Sequence, residues 1–283
     1  MLSSLIAQAP ALNRRCARTF AQIATRLEPL ICNWEADALA DAIEAVYTST
    51  SAIEPRLLRG RTFFGVIRMP PTDNALSAFQ QSVSRSTADS DGLFAEMDLL
   101  MSLHERRMPQ VRRLIVDLQL EAGVVKKAVS QHLLDLDAFD ATLERRAEAA
   151  ATQASRSAIA ALAQKSSEVR LHLESLCQMC KTAQHLLASC QQVLVSWQQL
   201  VETLNAHVQP AWKDMSAVLE TMKTPAHDQS VKDRRIRLGN ARSGFEAWLD
   251  TAMAQCQRLQ QGAEAAQLAI SELQRREAYS GHD

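Results

Sequence analysis

Between Ile159 and Met222 apolar residues recur at alternating spacings of three and four: Ile159, Leu162, Ser166, Val169, Leu173, Leu176, Cys180, Ala183, Leu187, Cys190, Leu194, Trp197, Val201, Leu204, Val208, Ala211, Met215, Val218 and Met222. Only Ser166 breaks the seam. A 3.5-residue period held for about nine heptads belongs to a supercoiled helix, because a straight surface helix would drift out of phase with it. At about 1.5 Å per residue such a helix approaches ~95 Å. A second stripe, Met179, Leu186, Val193 and Leu200, lies one residue before alternate seam positions and widens the apolar face. That width predicts at least two neighbouring helices and marks these four residues as a candidate helix interface.

Similar seams run through Met108, Val111, Ile115, Leu118, Ala122, Val125, Val129, His132, Leu136, Phe139 and Leu143, and through Leu249, Ala252, Cys256, Leu259, Ala263, Ala266, Ile270 and Leu273. The N-terminal stretch repeats the pattern at Cys16, Phe20, Ile23, Leu27, Leu30 and Trp34 before its phase shifts to Leu39, Ile43 and Val46. With 47% hydrophobic residues, 5% aromatics and only eight glycines and eight prolines, the chain can bury a core built from helices. The expected fold is all-α: a single elongated antiparallel helical bundle over 1–283 with coiled-coil-like long helices and one short irregular or β-hairpin insertion. Helices are expected at about 2–47, 73–87, 91–150, 158–223 and 228–277, with the non-helical insertion at 48–72. A phase change before Pro109 predicts a kink or break there; the phase kept across Pro210 predicts one kinked helix, and Pro225 ends it. The run at 144–158, ERRAEAAATQASRSA, fits either a turn or an alanine-surfaced helix.

The insertion interrupts the heptads with Pro55, Gly60, Gly65, Pro70 and Pro71 around a short β-prone run. Arg56, Arg59, Arg61 and Arg68 surround Phe63, Phe64, Val66 and Ile67, a basic, apolar element suited to an anionic lipid surface or a partner groove. The alternative is a loop or hairpin whose aromatics cover the end of the bundle. The segment 57–69 is too short to cross a bilayer as a hairpin, since each strand needs about nine residues.

Elsewhere the chemistry is sparse. Formal net charge is -1, from 31 basic and 32 acidic residues, so no global field would hold nucleic acid, and nucleic acid is not an expected partner. The clusters Arg106, Arg107, Arg112, Arg113 and Lys232, Arg234, Arg235, Arg237 are interleaved with acids and read as solvated faces or helix-to-helix ion pairs. Cys177 and Cys180 form a CxxC, with His185 and Cys190 following. Cys190 turns to the opposite side of a helix from Cys177, so buried reduced cysteine is preferred to a zinc site. The seven histidines carry no HExxH, and Gly60 and Gly65 lack phosphate-loop spacing. No catalytic residue, metal, cofactor or small-molecule substrate is expected, and the protein is not expected to be an enzyme. Basic residues follow rather than precede the first apolar stretch, and no run is apolar enough to span a bilayer. Cytoplasmic synthesis without a secretory signal is therefore expected.

The stretch LVETLNAHVQPAWKDMSAVLETMKTP, with Leu204, Val208, Trp212, Met215 and Leu219 spaced around its tryptophan, resembles the late-helix segment of long-helix bacterial pore-forming toxin subunits of the haemolysin BL and xenorhabdolysin class. The resemblance covers about a tenth of the chain. It implies a bundle of about five helices with a short apolar or β element held against it, an adaptor or partner-subunit role, and non-classical release. The family's apolar tongue is longer than the 57–69 run here. Two functions are thus expected: an interaction or structural protein acting through a protein partner or self-association, and a membrane-binding toxin subunit using 57–69.

Overall fold

The computed structural model describes residues 2–32, 36–53, 62–63, 67–68, 73–150, 152–223 and 228–280. Helix dominates, in chain order α1 (Leu2–Ile31), α2 (Ala36–Ser51), α3 (Asp73–Glu148), α4 (Gln153–Thr203), a π-helical turn (Leu204–Val208), α5 (Gln209–Met222) and α6 (Asp228–Ser280). The fold is an all-α bundle. Inside the insertion, strands β1 (Thr62–Phe63) and β2 (Ile67–Arg68) pair antiparallel, Thr62 opposite Arg68 and Phe63 opposite Ile67.

Several boundaries differ from the sequence expectation. The helix expected over 2–47 is two helices, because the apolar phase jumps between Leu27 and Leu39 and one straight helix cannot bury both sets. α2 runs on to Ser51: Thr50 Oγ1 donates to the Val46 carbonyl at 2.9 Å and Ser51 Oγ to the Tyr47 carbonyl at 2.7 Å, so the polar TSTS run satisfies its hydroxyls without leaving the helix. The break expected between 87 and 91 does not form. Thr87 Oγ1 bonds back to the Val83 carbonyl at 2.8 Å in the same way, and α3 continues through Pro109, which removes a single backbone donor. Within the 144–158 run α3 ends at Glu148 and α4 begins at Gln153, so the run holds a turn between two helices. Thr152 Oγ1 accepts the Ser155 backbone N–H at 3.2 Å, an N-cap that starts α4 without glycine or proline.

The chain divides into two compact units, to which α3, α4 and α6 each contribute. The first comprises Met1–Asn33, Arg107–Gln192 and Gly262–Asp283. Its core includes Phe20, Leu27, Leu118, Leu136, Leu173, Leu186 and Ile270, all buried. At about 1.5–3 kcal/mol for each large apolar side chain removed from water, such a core outweighs any polar contact in the unit. The polar seam residue Ser166 is also buried. Its hydroxyl donates to Asp140 Oδ1 at 2.5 Å, and Arg170 Nη2 meets Asp140 Oδ2 at 2.8 Å and Asp137 Oδ1 at 2.7 Å, joining α4 to α3.

The second unit comprises Trp34–Arg106 and Val193–Gln261. It is organised around aromatic residues: Trp212 lies 6.1 Å from Phe94 and 5.6 Å from Phe245, and its Nε1–H donates to Asp91 Oδ1 at 2.9 Å. Trp197 meets His104 edge-on at 4.8 Å.

The buried register is finer than the sequence seam. From Val193 the buried apolar positions are Val193, Trp197, Leu200, Leu204, Val208, Trp212, Met215, Leu219 and Met222, whereas Val201, Ala211 and Val218 are only half-buried. Spacing alternates four and three, except for three consecutive fours from Leu200 through Leu204 and Val208 to Trp212. The π turn falls there. Its closing bond runs from the Gln209 N–H to the Leu204 carbonyl, five residues back, and this accommodates one extra residue in the turn immediately before Pro210.

Candidate interaction surfaces

On α3, in the first unit, the seam Val111, Ile115, Leu118, Ala122, Val125 and Val129 is buried. A second apolar row, Val116, Leu120 and Val124, follows in steps of four and remains 52%, 64% and 65% exposed. Each step of four advances only about 40° around a helix, so the three share one outer strip. Valine is a poorer helix former than the Glu, Lys or Gln that would keep this face wet, so helix propensity does not account for the row. Beside it, residues of α1 between Thr19 and Arg26 wall a groove of about 720 Å³. The buried Ala21 and Ile23 and the exposed Leu120 and Val124 are its apolar lining, and Arg26, Asp117, Glu121 and Glu277 are its charged lining. The sequence seam passes over this row. The off-seam repeat of Val116, Leu120 and Val124 is its signal.

Of the candidate tip, Phe63, Ile67 and Arg68 lie in the paired strands, while Arg56, Arg59, Arg61, Phe64 and Val66 fall outside the described residues. The candidate helix interface lies inside the molecule: Met179 and Leu186 are buried in the first unit, Val193 and Leu200 in the second. The widened face is filled by the chain's own packing, which leaves none of the four at the surface. Leu204, Val208, Trp212, Met215 and Leu219, the residues that carry the toxin resemblance, are core of the second unit as well.

All six cysteines are free thiols; Cys16, Cys180, Cys190 and Cys256 are buried, Cys32 and Cys177 half-buried. Burial pushes the thiols of Cys16, Cys32 and Cys180 up to about 11 and those of Cys190 and Cys256 up to about 12. Glu121 adds to the rise at Cys16 and Glu28 at Cys32. Among the described residues no group of three His, Cys, Asp or Glu converges as a metal site. His132 is half-buried, and its Nδ1 has no hydrogen bond among the described residues. His207 stacks on Trp248 at 4.0 Å with 6° between the planes. Arg106, Arg112, Arg113, Lys232 and Arg237 are exposed, Arg107, Arg234 and Arg235 half-buried, and Arg234 donates to the Thr221 carbonyl at 2.5 Å.

No described helix is long and apolar enough to cross a membrane. No protein-family model matches the chain, and neither a curated protein nor a solved structure is significantly similar to it.

Proposed function

We propose that this chain is a non-enzymatic interaction protein, acting through protein–protein contact or self-association along a helical face. The supporting observation is the exposed row Val116, Leu120 and Val124 beside the α1–α3 groove. A contiguous apolar strip on a helix that has already buried its core seam is characteristic of a surface that is covered in use. The test combines light scattering over a wide concentration range with affinity capture, comparing the native chain with Leu120→Asp at matched helicity. Self-association or a captured protein that Leu120→Asp abolishes supports the reading. A native chain that stays monomeric, and captures nothing the variant does not, refutes it.

The paired strands Thr62–Phe63 and Ile67–Arg68 favour a second reading, in which a soluble subunit of a pore-forming toxin pair touches membranes through 57–69. A short paired element within an Arg-rich, apolar sequence is the kind of tip that an anionic bilayer would bind. Co-sedimentation with anionic liposomes, weakened by Phe63→Asp with Phe64→Asp, is the expected result; no association with liposomes removes this reading.

A further inference from the structure

The charges around the α1–α3 groove specify its occupant. On the 100° helical step, Asp117 and Glu121 sit on the flank of α3 that turns from Leu120 toward α1, one turn apart. Both line the groove and are half-buried, and neither makes an ion pair or side-chain hydrogen bond among the described residues. Among the residues that line the groove they set two carboxylates on α3 beside the guanidinium of Arg26 on α1. Arg113 and Lys127, both exposed, fall on the same strip as Val116, Leu120 and Val124 and bracket it at either end, about 21 Å apart at ~1.5 Å per residue.

This pattern disfavours pairing of the strip with the same strip of a second copy. Paired antiparallel about Leu120, two copies would set Arg113 level with Lys127 and Asp117 within about 3 Å of rise of the other copy's Glu121 on the same flank; paired parallel, each charge would lie level with its own kind. Like charges brought together at a desolvating interface cost affinity in either orientation.

We propose that the groove receives an amphipathic helix of another protein, its apolar stripe seated on Ile23, Leu120 and Val124. That helix carries Lys or Arg level with Asp117 and Glu121 and acidic residues at the two ends, facing Arg113 and Lys127. The proposal rests on the interaction reading above and gives it a partner chemistry.

The probe is a synthetic helical peptide of about 20 residues with a leucine stripe, lysines beside its middle turns and glutamates at its ends. Its control has the same composition with the lysines and glutamates exchanged, so net charge and apolar content are identical. The matched peptide is expected to bind the full-length chain at least about tenfold more tightly than the control, by fluorescence anisotropy. Leu120→Asp is expected to weaken it by a similar factor, and Asp117→Lys with Glu121→Lys to reverse the preference. All three positions are solvent-facing or half-buried, and matched circular dichroism melts verify folding. Equal binding of the two peptides, or matched binding indifferent to Leu120→Asp, overturns the proposal. If neither peptide binds but the chain self-associates through Leu120, the partner chemistry falls and the interaction reading stands. If the chain binds neither peptide nor itself, and captures no protein through this face, both fall.

Discussion

Ser166 is polar where the heptad asks for an apolar residue, and the sequence shows that anomaly without its cause. The cause is 26 residues away, in Asp140, which accepts the Ser166 hydroxyl while Arg170 holds its other oxygen. Ser166→Ala should cost about 1 kcal/mol, since Asp140 keeps Arg170. Asp140→Ala should cost about 1–3 kcal/mol, because it strands a buried hydroxyl; urea unfolding measures both. The cysteines were legible by the opposite route: seam position alone marked Cys180, Cys190 and Cys256 as buried. A thiol is neutral when protonated, and the folded state raises its pKa, so the contribution to stability is fully present below about pH 9. It is lost as pH rises through 11 to 12. At pH 8 a thiol titrating near 11 is only about 0.1% thiolate, against about a quarter for an exposed one. Iodoacetamide at pH 8 should therefore leave Cys16, Cys32, Cys180, Cys190 and Cys256 largely unmodified until urea is added, as read by peptide mass mapping.

Among the elements, periodicity located the long helices of both units, yet it placed the buried register at Ala211 and Val218 where the structure uses Trp212 and Leu219. The reason is the π turn, whose extra residue is invisible to a count of apolar spacings because each spacing around it is individually ordinary. Removing the exposed Asn205 should convert the turn to α-helix and restore a strict alternation of three and four from Val193 to Met222. That deletion should retain native helicity, with stability changed by about 1 kcal/mol or less. Deleting the equally exposed Gln199 would instead rotate Leu200 and Leu204 by about 100° relative to Val193 and Trp197, and should abolish the cooperative melt. Helix ends were the least legible elements, since hydroxyl-to-carbonyl bonds at Thr50, Ser51 and Thr87 extend helices through polar runs that read as breakers.

For the molecule as a whole, the helical class was plain from composition and seam, whereas the division into two units and the α1–α3 groove were not. Both depend on which helix faces meet, and a single sequence states the faces but not their partners. The row Val116, Leu120 and Val124 was present to be read, yet only burial separates it from core. The described tryptophans, Trp197, Trp212 and Trp248, all belong to the second unit, so their fluorescence reports that unit while circular dichroism reports both. Because α3, α4 and α6 run without interruption through residues of both units, the two signals should give coincident urea midpoints. A fluorescence midpoint displaced from the helical one would mean that each unit melts alone.

The turn capped by Thr152 has a practical consequence of another kind. Residues 144–149 and 152–158 are all exposed, and the hydrogen bonds of Thr152 and Arg156 are made within this short stretch, so little of the core depends on its identity. It is the natural place to open the chain, whether by a protease site or an inserted reporter, while leaving the groove on α1 and α3 untouched.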